Sequence, residues 1–118
     1  MVRLACGLLL ASVLSLGSAF AHSTKEGTMP EDGAQLDAAP SEVIIQFDEP
    51  ATLTRVELTH SHDGEAQDTR LTLPGEAMDA AHLEAPDFGP GLYTVDWRAM
   101  SADGHAVNGR FSFTVSED

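Results

Sequence analysis

Two alternating stretches near the C terminus, residues 93–98 and 107–115, constrain the fold of this chain most strongly. In the first, Tyr93, Val95 and Trp97 share one parity and face away from their polar neighbours. The second repeats the pattern with four apolar residues of one parity, Val107, Phe111, Phe113 and Val115. Strict alternation is typical of half-buried strands. Asp103-Gly104 between them is a strong hairpin signal, because glycine accepts a positive φ. We therefore predict an antiparallel strand pair with one buried face.

Shorter strands, each bounded by turn residues, are predicted upstream of this pair. They comprise a weak strand before Pro30, residues 42–48 ended by Glu49-Pro50, residues 53–60 followed by a turn at 61–64, and a strand at Leu71 and Leu73 closed by Pro74-Gly75. Residues 76–85 fit either a strand or an irregular segment. No helical periodicity is sustained anywhere. The pattern predicts an all-β fold, an immunoglobulin-like Greek-key sandwich or barrel of about seven strands.

The first 21 residues have the pattern of a secretory signal peptide. Arg3 supplies the positive charge, residues 4–20 are apolar or small, and Ala19-Phe20-Ala21 fits the cleavage pattern. The alternative is a transmembrane anchor, but the apolar run is near the lower limit for a span. We predict a signal peptide at residues 1–21, a domain at residues 22–118, and no membrane insertion after cleavage. Cys6, the only cysteine, would be removed with the signal.

The net charge of the chain excludes some classes of binding partner. Residues 22–118 hold five basic and 19 acidic residues, a formal charge of −14 with neutral histidines. Nucleic acids and anionic membranes both require basic patches, so neither is a predicted partner. A negative field favours cations, although solubility explains most of these acidic residues equally well.

The candidate metal ligands are His22, Asp103 and His105. After cleavage, His22 would be the first residue and would offer two nitrogens, its α-amine and its ring Nδ1. Asp103 and His105 stand two residues apart, so an extended backbone places both side chains on one side. Nitrogen and oxygen donors in a tetragonal set suit Cu(II). The alternative is that these rim histidines are simply solvated.

Residues 22–118 resemble, nearly end to end, the CopC family of periplasmic copper-binding proteins. The matching segments are His22, Pro30-x-Asp32-Gly33, Ala39-Pro40, Phe47-Asp48-Glu49-Pro50, Gly91 to Arg98, Ser101-Ala102-Asp103-Gly104-His105 and Gly109-x-Phe111-x-Phe113. The resemblance implies a Greek-key β-sandwich or barrel, with Cu(II) bound by His22, Asp103 and His105. Glu49 falls where the family often has an acidic residue near the site, and its ligation stays open. Ala106 replaces a proline that is frequent in the family.

The function implied by this resemblance is that of a periplasmic Cu(II)-binding protein in copper homeostasis or resistance. Such a protein carries or buffers copper and passes it to a membrane transporter of the CopD type. Some members also bind Cu(I) through a methionine-rich segment. In this chain Met29, Met78 and Met100 are scattered, so no Cu(I) site is predicted, and Met100 is expected to pack near a strand end.

Two other functions belong to different classes. An N-terminal histidine paired with a second histidine also holds copper in lytic polysaccharide monooxygenases. Those enzymes need a broad binding surface, whereas Tyr93 and Trp97 both have core-facing parity, so a binding protein rather than an enzyme is predicted. The third possibility is a metal-free adhesion-like domain. His60 and His62 are interpreted as two exposed turn histidines, with an adventitious metal site as the alternative.

Overall fold

Seven β-strands and no helix make up the part of the chain that the structure, a computed structural model, describes, residues 26–117. The strands are β1 (Gly27–Met29), β2 (Ala34–Leu36), β3 (Glu42–His62), β4 (Glu65–Arg70), β5 (Met78–Glu84), β6 (Gly91–Ser101) and β7 (Ala106–Val115). Within these residues no helix is long and apolar enough to cross a membrane. The predicted signal peptide and His22 lie outside the described residues.

The long strand β3 belongs to both halves of the sheet. Its first part, up to Gln46, pairs with β1 on one side and β5 on the other. From Ala51 onward it pairs with β6, and from Glu57 also with β4. Strand β7 continues the second half beyond β6, and β2 closes that edge in parallel with β7. We call the group of β4, β6, β7, β2 and residues 51–62 of β3 the large half.

One hydrophobic core lies between the two halves, so the sheet encloses it as a Greek-key sandwich or half-barrel. The large half contributes Tyr93, Val95, Phe111 and Phe113, each at most 2% exposed. Val43, Ile45 and Leu83 face them from the other half. The predicted class, all-β with about seven strands, is confirmed. The predicted parity of the buried residues is also confirmed, except for Val107, which is 38% exposed near the start of β7.

Two predicted strand boundaries were wrong. Glu49-Pro50 does not end a strand, because β3 continues through it while its register shifts between Gln46 and Ala51. The strand expected at Leu71 and Leu73 is instead the preceding segment Glu65–Arg70, which pairs with β3 beyond a tight turn at Asp63-Gly64. Leu71 lies just after that strand and is buried in the core. Of the alternatives for residues 76–85, the structure has a strand, β5.

Gly109 allows Trp97 to lie flat against β7. The two residues are direct cross-strand partners. A Cβ added at Gly109 would lie 2.6–2.8 Å from atoms of the indole ring, closer than real Cβ contacts allow. Phe47 meets the same ring edge to face, with the ring centroids 5.5 Å apart. This contact leaves Trp97 half-buried, between the core and the groove described below.

The replacement Gly109→Ala is expected to destabilise the protein by about 1–3 kcal/mol, because the added methyl group displaces a packed ring. Trp97 is the only tryptophan, so its fluorescence emission should shift in the same variant. Gly27→Ala is the control, since a methyl group there meets no atom within 4 Å. Denaturant unfolding followed by fluorescence measures both effects. Equal stability and unchanged emission in Gly109→Ala would contradict this packing.

Candidate metal centre

The loop between β6 and β7 carries both candidate ligands that the structure describes, Asp103 and His105. It is a tight turn closed by two backbone hydrogen bonds, from Ser101 N–H to His105 O (2.8 Å) and from Gly104 N–H to Ser101 O (2.9 Å). Gly104 has a φ of +91°, a conformation that favours glycine. The N–H of Ala102 donates to the carbonyl of Pro50. The loop is therefore fixed to the irregular part of β3.

Asp103 is held by three hydrogen bonds within this loop. Its Oδ1 accepts from the Ser101 hydroxyl and from the His105 N–H, the latter at 3.2 Å. Its Oδ2 lies 3.0 Å from Nδ1 of His105. The Ser101 hydroxyl, followed by the side chain and N–H of His105, lowers the pKa of Asp103 from 3.8 to about 2. The carboxylate is therefore ionised, as a metal ligand must be, over nearly the whole pH range.

The distance between these two donors fits adjacent ligands on one metal ion. Two donor atoms bound at about 2.0–2.1 Å and at right angles lie about 2.9 Å apart. Asp103 Oδ2 and His105 Nδ1 are 3.0 Å apart, and their side chains are 56% and 78% exposed. A hydrogen bond between these two atoms and a metal ion would use the same donor pair, so metal binding would replace that hydrogen bond. Oxygen and imidazole nitrogen are donors that Cu(II) accepts.

A groove of about 840 Å³ lies beside this pair, and we call it the acidic groove. Three carboxylates other than Asp103 line it, those of Glu26, Asp48 and Glu49. Trp97 and Phe47 form its apolar wall. Glu26, Asp48 and Ser101 had not been predicted as part of the site, because only the folded chain brings them beside the loop. The one sequence signal for Ser101 is its position two residues before Asp103.

The structure brings two of the three predicted ligands together, and the third, His22, lies outside the described residues. Among residues 26–117 no group of three or more His, Cys, Asp or Glu side chains is arranged to hold a metal ion. The Asp103–His105 pair supplies two donors, so a metal site at this loop would need at least one further donor. Glu49 lines the acidic groove, and its ligation stays open.

The histidine pair at the other end of β3 differs from the prediction of two exposed turn residues. His60 is only 9% exposed, and its Nε2 lies 2.8 Å from the carbonyl oxygen of Pro90. Its ring packs on Tyr93 and Phe88, with centroids 4.8 and 5.5 Å away. His62 remains partly exposed beside Asp63. His60 is buried because the loop before β6 packs over it, a tertiary contact that the local sequence does not indicate.

Met100 also differs from its prediction, because it is 44% exposed rather than packed. It lies near the end of β6 opposite Ala106, whose side chain offers little apolar surface. Met29 is 56% exposed on β1. His82, to which no role was assigned, lies 3.4 Å from a carboxylate oxygen of Glu42.

Removing the Ser101 hydroxyl by Ser101→Ala should raise the pKa of Asp103 from about 2 toward 3.8, because the strongest bond to the ionised form is lost. A lowered folded-state pKa stabilises the protein above pH about 4, and that stabilisation disappears as the pH falls toward 2. The wild type should therefore be more stable than the variant above pH about 4, and this difference should disappear as the pH falls toward 2. Carboxyl ¹³C NMR titration measures the pKa directly.

Ser112→Ala is the matched control for this titration. Ser112 lies on β7, and its hydroxyl is 3.2 Å from the hydroxyl of Thr94 on β6. Neither residue belongs to the loop that carries Asp103. The pKa of Asp103 should be the same in this variant as in the wild type. An unchanged titration in Ser101→Ala would show that the hydroxyl does not hold the carboxylate.

Comparison with known proteins gives one consistent result. The family model of the CopC domain matches residues 25–116. The protein YobA of Escherichia coli K12 is 31% identical over 97% of this chain and 94% of its own length. The copper transport protein CutJ of Bacillus subtilis is 30% identical over 93% of this chain, which is 21% of CutJ. The crystal structure of PcoC, a methionine-rich copper resistance protein of E. coli, superposes with a TM-score of 0.61 and 26% identity over 81% of this chain and all of PcoC.

Proposed function

The chain belongs to the CopC family, and on this premise we propose that it is a periplasmic protein that binds Cu(II) through His22, Asp103 and His105. A copper-related function follows from the family, whose named members include copper resistance and copper transport proteins. The proposal is that the chain carries or buffers copper as cargo and is not an enzyme. Signal cleavage after Ala21 would create the free amine of His22.

The observation that best supports this proposal is the position at which the described chain begins. Glu26 and Gly27 line the same acidic groove as Asp103 and His105, so the described chain begins beside the candidate pair. Only three residues lie between His22 and Glu26, and the four Cα-to-Cα steps between them reach at most about 14 Å. The α-amine and imidazole of His22 are thus covalently restricted to the neighbourhood of the groove. They would supply the donors that the Asp103–His105 pair lacks.

The donor set supports Cu(II) rather than Cu(I). Amine, imidazole and carboxylate donors suit the divalent ion, while thioether and thiolate donors suit the monovalent one. No cysteine follows Cys6 in the sequence. Met29 and Met100 are exposed, but they lie on different strands, and neither lines the acidic groove.

A membrane transporter of the CopD type is the proposed partner. The similarity to CutJ covers nearly all of this chain but only 21% of CutJ. A domain like this one is therefore one segment of a larger copper transport protein. A separate chain with the same domain would meet its transporter by association instead of covalent linkage.

Replacing the side-chain ligands one at a time tests their identity. His105→Ala should weaken Cu(II) binding more than Asp103→Ala, because the imidazole is an equatorial nitrogen donor and the carboxylate is the weaker ligand. The electron paramagnetic resonance spectrum of His105→Ala should show fewer nitrogen couplings than that of the wild type, whereas the spectrum of Asp103→Ala should show the same number. His82→Ala is the control, since His82 pairs with Glu42 outside the groove. Identical nitrogen couplings in His105→Ala and the wild type would remove His105 from the ligand set.

Extending the N terminus tests the role of His22. A chain that begins at His22 is compared with one that carries a single additional glycine before it. The extension converts the terminal amine into an amide, so the chelate ring of His22 cannot close in the same way. Cu(II) affinity should fall by at least about tenfold, with a changed spectrum. Affinity of the unextended chain should rise with pH near about 8, where the free amine loses its proton.

Circular dichroism of both chains provides the control for this comparison, because the glycine precedes the folded domain and should leave its spectrum unchanged. Matching affinities and copper spectra in the two chains would show that the terminus is not a ligand.

A further inference from the structure

All four arginines among residues 26–117 lie on the outer face of the large half of the sheet. They are Arg55 on β3, Arg70 on β4, Arg98 on β6 and Arg110 on β7. We call this surface the arginine face, and it also holds the carboxylates of Glu57, Asp68 and Asp96. The other described residues include 15 acidic side chains and no lysine or arginine. The arginine face is thus a cluster of cationic side chains on a strongly acidic protein.

Arg55 and Arg98 are direct cross-strand partners at the centre of this face. The register shifts between Leu53 and Arg55, so Thr54 is the extra residue and Arg55 comes opposite Arg98. Like charges directly opposite each other destabilise a sheet. The bulge accounts for the register, since it lets both Leu53 and Val56 enter the core. It does not account for arginine at both exposed positions.

The ion pairs of the arginine face involve only two of its four arginines. Arg55 binds Glu57 at 3.1 Å, and Arg110 binds Asp96 at 2.8 Å. Within residues 26–117, Arg98 and Arg70 make no salt bridge to any carboxylate, and of these two only Arg98 lies between the two ion-paired arginines, on the strand between theirs. Both existing pairs are exposed, and such pairs contribute little to stability. Ion pairing therefore gives no reason for an arginine at position 98.

A shallow depression of about 550 Å³ lies over these residues. Its lining includes four side chains with N–H donors, those of Arg55, Arg98, Arg110 and Asn108. It also includes two carboxylates, Glu57 and Asp96, which pair with Arg55 and Arg110. Guanidinium groups bind carboxylates through two parallel hydrogen bonds. Four of the residues in this lining also line the acidic groove, namely Trp97, Asn108, Gly109 and Arg110. An anion bound in the depression would lie directly beside the candidate metal centre.

We propose that the arginine face docks a short carboxylate-rich segment of a partner protein. Four strands at their usual spacing are about 14 Å across, which matches about four or five extended residues. A short segment reaches the arginines without approaching the acidic remainder of the surface. An anionic bilayer or a second copy of this chain would meet that remainder and be repelled. The proposal does not depend on His22 as a metal ligand.

Hexaglutamate with blocked ends is the probe, and hexaglutamine is its neutral counterpart. Each is titrated at low ionic strength into the ¹⁵N-labelled, processed protein without copper. Hexaglutamate should shift amide signals of residues 96–98 and 108–110, and hexaglutamine should not. Arg55→Gln and Arg98→Gln should each weaken binding by about tenfold, the effect of losing one charge-assisted contact. Arg70→Gln is the matched control, because Arg70 does not line the depression.

Several outcomes would overturn the proposal. Equal losses in Arg98→Gln and Arg70→Gln would mean nonspecific attraction. Inorganic phosphate that binds as tightly as hexaglutamate would indicate a small-anion site, and binding to anionic vesicles would indicate a membrane surface. Self-association of the unlabelled protein that Arg98→Gln abolishes would identify a second copy as the occupant.

Stability provides a second readout that a merely structural role would not give. Arg98→Gln removes a repulsion from Arg55, so its unfolding midpoint should equal or exceed that of the wild type. A variant that binds hexaglutamate more weakly and yet is at least as stable supports docking. A lower midpoint with unchanged binding would make Arg98 a structural residue and refute the proposal.

Discussion

The structure depends on one constraint, the passage of β3 from one half of the sheet to the other. Up to Gln46 this strand holds β1 and β5, and from Ala51 it holds β6. Between them, residues 47–50 leave the regular ladder, and the carbonyl of Pro50 accepts the N–H of Ala102. The same irregular segment contributes Asp48 and Glu49 to the acidic groove. The change of partners that encloses the core therefore also fixes the loop that carries Asp103 and His105.

Most of the fold could be predicted because one side of each central strand is buried, and burial is read directly from alternation. Tyr93, Val95, Phe111 and Phe113 are examples. Pro50 was misread as a strand end, since proline lacks the N–H that a ladder requires. Here its neighbours have left the ladder, so the missing donor costs nothing. The edge strand β4 was missed because five of its six residues are exposed and it has no large apolar side chain. Such a composition protects a sheet edge from aggregation, but it leaves no apolar alternation from which a strand could be predicted.

The candidate site could be predicted only for residues that are close together in the sequence. Asp103 and His105 are two residues apart across a turn, and sequence spacing is sufficient to place them together. Glu26 reaches the groove through the pairing of β1 with β3, a contact between segments about 18 residues apart. No local pattern encodes such a contact. His22 adds a different dependence, since its proposed role follows from a processing event rather than from folding. The prediction that His60 is exposed was wrong because its burial also depends on a long-range contact. Pro90 and Phe88, about 30 residues further along the chain, cover its ring.

The exposure of the candidate ligands bears on how the proposed function would operate. Asp103 and His105 lie at an open rim, 56% and 78% exposed, so donors from another protein can approach while the first ligands are still bound. Ligands could then be exchanged one at a time, without releasing copper into water. The surrounding carboxylates would attract cations but also repel an acidic partner. The arginine face shares Arg110 and Asn108 with the groove, so it would offset that repulsion next to the candidate metal centre. A carrier that must attract a cation and also associate with a partner needs both kinds of surface, placed side by side.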